Sequence, residues 1–269
     1  MADLPVERVA ALLREVSASI IMPRFRALKS GEVEEKSPDD FVTIADREAE
    51  AALVSGLQAI LPSSTVIGEE MCHARPELLQ DLHEVDEPLW FVDPLDGTRN
   101  FVDGDPRFAI MVALRQRRET VGAWILRPVT GSLAMAERGA GAFIDGGRLR
   151  VPLSAKEAKA LRGAVLTKFL PPDRRERVER NGSKLGAVLP GTMCAGDDYP
   201  ALVRGTLDFV CYWRGLPWDH APGALLLAEA GGTVTRYDGS AYQPDGRLGL
   251  IAAGSAATAE MVRRTLELG

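Results

Sequence analysis

Four stretches of this sequence carry acidic side chains beside short apolar runs. In chain order they are Val42-Thr43-Ile44-Ala45-Asp46, Ile67-Gly68-Glu69-Glu70, the run from Trp90 to Phe101, and Trp218-Asp219-His220-Ala221-Pro222-Gly223. Each has an ordinary explanation when it is taken alone, because acidic residues are common in solvated loops, turns and helix caps. The order and the combination of the four stretches are what point to chemistry.

The strongest chemical signal is the pair Asp93 and Asp96, which are three residues apart with Pro94 between them. They follow an apolar run that reads as a strand, and since the chain must turn there, both carboxylates can point into one cavity. Two such carboxylates repel each other unless a cation lies between them. Oxygen ligands without Cys or His partners favour Mg²⁺ over zinc. The sequence therefore predicts a magnesium site at this turn.

An anion site is expected directly after these carboxylates. Gly97 lets the backbone approach a ligand closely, and the N–H groups that follow it open a turn or helix. A cation cluster beside an anion site suits phosphoryl transfer, which depends mostly on positioning and on neutralising charge. Two metal ions about 4 Å apart could produce hydroxide from one bound water and stabilise the leaving oxygen. No Ser or Cys nucleophile is required.

Composition narrows the class of protein and of partner. The chain has 269 residues, with 38 Asp and Glu against 32 Lys and Arg. Because the sequence has no stripe of basic residues that could follow a nucleic-acid backbone, we expect no nucleic-acid partner. The three cysteines are widely spaced, which favours a reducing cytoplasm over a disulfide framework. The first residues lack a basic segment followed by an apolar one, and no apolar run approaches the roughly 20 residues that span a bilayer. We therefore expect a cytoplasmic protein without a membrane partner.

Hydrophobic periodicity predicts alternating helices and strands. Apolar spacing indicates a helix within 4–28 and a second one from Asp46, as N-cap, to Ile60. Residues 108–151 have the short apolar runs of antiparallel strands, with a hairpin turn at Asp145-Gly146-Gly147. Strands and helices alternate again further on. We expect an N-terminal α+β part, 1–150, which carries most metal ligands, and a C-terminal α/β part, 151–269, which closes the site.

The motif Asp-Pro-Leu-Asp-Gly-Thr at 93–98, with the later Trp218-Asp219 and the run Glu229-Ala230-Gly231-Gly232, resembles the inositol monophosphatase family. That family consists of metal-dependent, lithium-sensitive phosphatases, and the similarity spans the whole chain. The resemblance implies an α/β fold, a layered α/β/α/β/α sandwich of the sugar-phosphatase type. It also implies a homodimer, two or three Mg²⁺ ions, and hydrolysis of a small phosphate monoester by metal-activated water.

The resemblance further implies a role for each matching residue. The first Mg²⁺ would be bound by Glu69, Asp93 and the carbonyl of Leu95, and the second by Asp93, Asp96 and Asp219. The Thr98 hydroxyl, with Asp46 behind it, would orient and deprotonate the attacking water. Phosphate and substrate contacts are expected from Gly97, Thr98, Ala195 and Gly196. Lys36, in a polar loop over 31–39, corresponds to a segment that closes over the site in relatives and helps a third metal.

Departures from the family pattern affect the substrate. Tyr212 stands seven positions before Asp219, where inositol-specific relatives carry an acidic residue, and a phenol cannot accept the two hydrogen bonds of a carboxylate. Sugar, polyol or histidinol phosphates are therefore predicted as substrates. The alternatives are a nucleotide or fructose bisphosphate phosphatase and a regulatory binding protein that keeps the fold. We expect His220 and Cys194 to be structural.

Overall fold

The computed structural model describes residues 4–37, 40–80, 82, 85–152 and 156–269. The helices are α1 (Val6–Val16), α2 (Ile44–Ile60), α3 (Glu69–Ala74), α4 (Thr98–Asp103), α5 (Pro172–Asn181), α6 (Ala195–Val203), α7 (Pro217–Glu229) and α8 (Ala256–Leu266). The strands before residue 150 are β1 (Val33–Ser37), β2 (Asp40–Thr43), β3 (Thr65–Gly68), β4 (Leu89–Asp96), β5 (Ala109–Gln116), β6 (Glu119–Arg127), β7 (Ser132–Glu137), β8 (Gly141–Ile144) and β9 (Gly147–Leu149). The later strands are β10 (Arg162–Val165), β11 (Ala187–Pro190), β12 (Phe209–Tyr212), β13 (Thr233–Arg236) and β14 (Leu250–Ala253).

Two large sheets organise these elements. Seven strands pair in the order β3-β4-β5-β6-β7-β8-β9, and five pair in the order β11-β10-β12-β14-β13. In the larger sheet, β3 runs parallel to β4 and the other neighbours are antiparallel. Strands β1 and β2 form a separate antiparallel ribbon. The strands of the larger sheet thus come from residues 65–149 and those of the smaller one from residues 162–253.

Among the described residues, buried hydrophobic clusters lie between the successive helix and sheet layers. Helices α1 and α2 cover one face of the larger sheet, where Leu13 and Leu53 pack against Trp90. Helices α6 and α7 lie between the two sheets, and α8 covers the outer face of the smaller one. Each face of a sheet buries apolar side chains against helices, which is what stabilises such a stack. The expected α/β/α/β/α sandwich is therefore confirmed.

Local boundaries differ from the prediction at two helices. The first helix is α-helical only over Val6–Val16, after which a π turn over Ser17–Ile21 and a short 3₁₀ turn follow. Helix α2 begins with Thr43 as N-cap, so the prediction of Asp46 as N-cap is wrong. Asp46 is instead the third helical residue, N3, and it completes a capping box because its carboxylate accepts a hydrogen bond from the Thr43 backbone N–H.

The predicted hairpin turn is present between β8 and β9, where Asp145 and Gly146 both have positive φ. No helix among the residues described above is both long and apolar enough to cross a membrane.

Candidate active site

One cavity collects most of the predicted site residues. Its lining includes all five predicted metal ligands and three of the four predicted substrate contacts: Glu69, Asp93, Leu95, Asp96, Asp219, Gly97, Thr98 and Ala195. We call this space the carboxylate cavity. Asp46 is fully buried behind Thr98, and Gly196 lies behind Asp96, to whose carboxylate it donates its N–H at 2.6 Å. Residues more than 170 positions apart in the sequence therefore meet at one place.

A bulge in β4 explains how Asp93 and Asp96 share this cavity. Side chains alternate between the two faces of a strand, so residues three apart normally point in opposite directions. Here Asp93 pairs with Met111 and Asp96 with Ala109, so three steps along β4 match two along β5. The extra residue reverses the alternation once. Both carboxylates therefore reach the same side of the sheet.

Gly97 makes the sharp turn from β4 into α4. Its φ is +85°, in the left-handed region, and a Cβ there would lie 2.9 Å from the carbonyl oxygen of Arg107. Helix α4 begins at the next residue, Thr98, and the first N–H groups of a helix have no partner within it. The turn therefore presents backbone donors beside the two carboxylates.

Thr98 and Asp46 form a pair that α2 and α4 hold together. Thr98 Oγ1 lies 3.0 Å from Asp46 Oδ1 and 3.0 Å from the carbonyl oxygen of Leu95. The other oxygen, Asp46 Oδ2, accepts hydrogen bonds from the backbone N–H and the hydroxyl of Thr43. Burial raises the pKa of Asp46 to about 6, although these hydrogen bonds favour the ionised form. The carboxylate is thus fixed and suited to accept a proton through Thr98.

Glu50 is a buried residue of the site that the sequence analysis missed. Its two carboxylate oxygens accept the backbone N–H groups of Glu70 and Met71, each at 2.9 Å, and so cap the start of α3. A Cβ on Gly68 would lie 2.2 Å from Glu50 Oε2, so only glycine admits this contact. Glu50 is four residues after Asp46 on α2, a spacing that places both on one helix face. That spacing is the signal that could have identified it.

We expect the Glu50→Gln substitution to lower the free energy of unfolding by about 1–2 kcal/mol, because an amide replaces one acceptor with a donor facing an N–H group. Since Glu69 begins the helix that Glu50 caps, we also expect any phosphatase activity to need a higher Mg²⁺ concentration for half of its maximum. Urea titration and a Mg²⁺ titration of phosphate release measure the two effects. Glu48→Gln, on the exposed side of the same helix, is the control, and equal effects of both substitutions would contradict this role.

The carboxylates of the cavity raise one another's pKa. Burial is the largest cause at Asp93, and the charges of Glu69, Asp96 and Asp219 add to it. Asp219 lies within hydrogen-bonding reach of Asp93, and burial followed by the charge of Asp96 raises its pKa as well. Such a set is unfavourable when it is ionised without a counter-charge. A divalent cation would supply that charge, and four carboxylates with a carbonyl are ligands of the kind Mg²⁺ prefers.

The carboxylates converge without forming a ready coordination sphere. Within the described part of the chain, no three His, Cys, Asp or Glu side chains are grouped so that they could hold a metal ion as they stand. Three of them have protein partners instead: Glu69 accepts from Lys36 Nζ at 3.0 Å, Asp93 from the Leu95 N–H at 3.0 Å, and Asp96 from the Cys194 thiol at 3.0 Å. The residues fit a magnesium site in chemistry and in location, and ligand binding would require these side chains to turn.

Lys36 lies on strand β1, whereas the sequence suggested a polar loop there. The ribbon with β2 accounts for the difference, because four of the five residues of β1 pair with β2, and Lys36 lies at the irregularity between Glu35 and Ser37. The ammonium group donates to Glu69 at 3.0 Å and to Glu70 at 2.8 Å. Burial would lower its pKa, but the two carboxylates outweigh burial and raise it. Pro38 and Asp39, at the end of the expected closing segment, lie outside the described residues.

A buried polar network stands behind the other wall of the cavity. Asp198 accepts hydrogen bonds from the Tyr212 hydroxyl at 3.2 Å and from Thr192 Oγ1 at 2.8 Å. His220 Nε2 lies 2.9 Å from the carbonyl oxygen of Arg214, and its Nδ1 lies 3.2 Å from the Tyr199 hydroxyl. Burial lowers the pKa of His220 to about 4, so the ring is neutral at pH 7 and both its nitrogens have protein partners. This geometry suits a structural His220.

Comparisons with known proteins agree with the fold and the cavity. The profile of the family described as "Inositol monophosphatase family" matches residues 4–268. A Nus factor SuhB from Vibrio cholerae is 36% identical over 226 residues, which are 80% of this chain and 79% of that one. A fructose-1,6-bisphosphatase/inositol-1-monophosphatase from Thermotoga maritima is 33% identical over 205 residues, 74% of this chain and 73% of its own.

A solved structure of a Thermotoga maritima IMPase superposes with a TM-score of 0.80 at 27% identity, covering 98% of this chain and 99% of that one. The match of sequence and of fold extends over nearly the full length, and five residues of the 93–98 motif line the carboxylate cavity together with Asp219. The chain therefore belongs to the inositol monophosphatase family.

Proposed function

We propose that this protein hydrolyses small phosphate monoesters with water activated by Mg²⁺. The observation that carries the proposal is the convergence of Glu69, Asp93, Asp96 and Asp219 on one cavity beside the Thr98–Asp46 pair. The family match and the IMPase relative support a phosphatase. The proposal includes inhibition of the activity by Li⁺. It also includes a division of the chain at residue 150 into two parts, both of which contribute residues to the carboxylate cavity.

This proposal assigns the binding of metal ions and of phosphate to different groups of residues. Glu69, Asp93 and the Leu95 carbonyl would hold one Mg²⁺ ion, and Asp93, Asp96 and Asp219 would hold a second. Bound magnesium supplies acidic water and neutralises charge on the phosphate oxygens. The N–H groups of Gly97 and Thr98 hold the phosphate, while Ala195 lines the space next to it and Gly196 fixes Asp96.

Proton transfer is assigned to Thr98 and Asp46. The Thr98 hydroxyl takes a proton from the attacking water and passes its own to Asp46 Oδ1, 3.0 Å away. Asp46 can receive it because burial has raised the pKa of its carboxyl to about 6, close to the working pH. With its hydroxyl turned to Asp46, Thr98 releases the Leu95 carbonyl for a metal ion.

The test is a phosphate-release assay across inositol, sugar, histidinol, nucleotide and fructose bisphosphate esters, with Mg²⁺, with EDTA and with added Li⁺. We expect release from at least one ester in Mg²⁺, loss of more than about 90% of it in EDTA because the ions carry the chemistry, and inhibition by millimolar Li⁺. Restoring Mg²⁺ after EDTA is the control, and release that persists in EDTA would contradict the metal-based proposal.

A second candidate is a regulatory role in binding another macromolecule, and the relative named Nus factor SuhB favours it. The same assay separates the two functions. If no ester is hydrolysed in the presence of Mg²⁺ while the protein is folded, the catalytic proposal is wrong and the regulatory candidate replaces it.

A further inference from the structure

Two arginines, Arg99 and Arg214, are among the described residues that line the carboxylate cavity, and Arg99 pairs with Asp103 on its own helix, α4. The guanidinium of Arg214 lies 3.9 Å from the centre of the Phe169 ring, and Arg214 Nη1 lies 3.1 Å from Asp40 Oδ2. All three residues line the cavity. The Arg214 side chain is 40% exposed, so solvent and ligands can reach it. A guanidinium stacked on a ring keeps its donors in one plane, ready for a planar or tetrahedral anion.

The position of Arg214 is fixed through its backbone. The segment between β12 and α7 carries it, and the carbonyl oxygen of Arg214 is within 2.9 Å of His220 Nε2. Because His220 follows Asp219 directly on α7, this hydrogen bond ties the segment that carries Arg214 to the helix that carries Asp219. Arg214 lines the same cavity as Asp93, Asp96 and Asp219, so it can contact an ester that is bound there.

The wall next to Arg214 is poorly suited to a neutral polyol. Its described lining includes the apolar side chains Leu166, Phe169, Met193 and Trp213. The hydroxyl of Tyr212 donates to the buried Asp198 and so is already engaged. Sugar and inositol hydroxyls need hydrogen-bond acceptors, and loss of water without such partners is unfavourable. An apolar surface that ends in a guanidinium favours a different kind of alcohol.

We propose that Arg214 binds an anionic group on the alcohol part of the ester, a carboxylate or a second phosphate, and so selects anionic esters over neutral and cationic ones. This inference rests on the proposed phosphatase function and specifies its substrate class. Arginine pairs with carboxylate and phosphate through two parallel hydrogen bonds, which are stronger than neutral ones. A cationic alcohol such as histidinol would be repelled at the same place.

Asp40 is the competitor for this interaction. Its carboxylate forms an ion pair with the Arg214 guanidinium, and it adds a negative charge where the anionic group of the ester would bind. Removing Asp40 should therefore strengthen selection for an anionic ester, whereas removing Arg214 should abolish it. If the ion pair served only to stabilise the fold, loss of Asp40 and loss of Arg214 would change the selectivity for anionic esters in the same direction. The two substitutions thus separate recognition from stability.

The experiment compares phenyl phosphate with 3- and 4-carboxyphenyl phosphate and with 4-(aminomethyl)phenyl phosphate, all in Mg²⁺. The readout is the ratio of kcat/KM for each charged ester to that for phenyl phosphate. Comparing this ratio between variants cancels the intrinsic reactivity of each ester. We expect the better carboxylate ester to be favoured about tenfold over phenyl phosphate by the unmodified protein, as one charge-assisted hydrogen bond implies.

Arg214→Gln should lower the ratio for the carboxylate esters about tenfold, and Asp40→Asn should raise it. Arg177→Gln, which breaks a comparably exposed Arg–Asp pair on α5, is the control and should leave the ratio unchanged. An unchanged ratio in Arg214→Gln would overturn the inference, and so would a lower ratio in both Asp40→Asn and Arg214→Gln. Failure of the proposed function is distinct, since no ester would then release phosphate.

Discussion

Asp93→Asn is expected to reduce phosphate release on the order of a thousandfold or more, since a ligand shared by two ions supplies several kcal/mol of charge stabilisation. The proposal assigns the shared position to Asp93 because burial, and then the charges of Glu69, Asp96 and Asp219, raise the pKa of its carboxyl group. Asparagine keeps the shape and can still accept the Leu95 N–H through its oxygen. The measured quantity is kcat/KM at saturating Mg²⁺ for the best ester of the panel.

The same substitution should stabilise the protein when Mg²⁺ is absent. Burial and three neighbouring charges raise the pKa of Asp93 in the folded state, so ionisation at pH 7 opposes folding. A neutral amide removes this penalty, and we expect the free energy of unfolding in EDTA to rise by about 1–3 kcal/mol. Added Mg²⁺ should stabilise the unmodified protein and have less effect on the variant.

Asp173→Asn, at an exposed ion pair of α5, is the control for both measurements and should change neither. Activity of Asp93→Asn within tenfold of the unmodified protein would refute the bridging role. A variant that is inactive and also less stable in EDTA would show that the substitution acts by damaging the fold.

Gly223→Ala should destabilise the protein by about 1–3 kcal/mol through overpacking. Gly223 lies in α7, four residues after Asp219, and a Cβ there would meet the Tyr199 ring at 2.0 Å. Tyr199 is fully buried, stacks on Tyr212 and contacts His220, so the ring has nowhere to move. Helix propensity alone favours alanine by up to about 1 kcal/mol, so the sign of the change tests the contact directly. Urea unfolding gives the free energy.

Gly182→Ala is the matched control. Gly182 has helical backbone geometry, and its nearest neighbour, Val188, would lie 3.6 Å from the new Cβ, an ordinary contact. We expect that substitution to be neutral or slightly stabilising. If the Gly223→Ala variant were as stable as the Gly182→Ala variant, that result would contradict the close contact of Gly223 on α7 with Tyr199 on α6.

The sequence was informative where chemistry depends on residue type and short spacing. The motif at 93–98 already implied a cation site beside a backbone anion site, because Asp, Gly and Thr in that order have few other combined uses. Apolar periodicity predicted alternating helices and strands, and the resemblance of the motifs to the inositol monophosphatase family implied the layered sandwich. Apolar periodicity did not locate the exact start of helix α2. Capping geometry decides whether an acidic residue such as Asp46 is the N-cap or the third helical residue, N3, of a capping box.

Other features depended on contacts between distant segments. The bulge that turns Asp93 and Asp96 to one face is set by pairing with β5. The two hydrogen bonds of Glu50 to α3 need Gly68 opposite it. The pairing of Arg214 with Asp40 joins residues 174 positions apart.

By itself, the sequence determined the kinds of ligand atoms and the alternation of helices and strands, because these follow from residue types and local periodicity, and its motifs indicated the family and, through it, the layers. Tertiary structure alone decided which buried acids face one another, which of them are held by protein partners, and which arginines line the cavity. Those facts depend on side-chain direction and burial, which arise only when separate elements pack together.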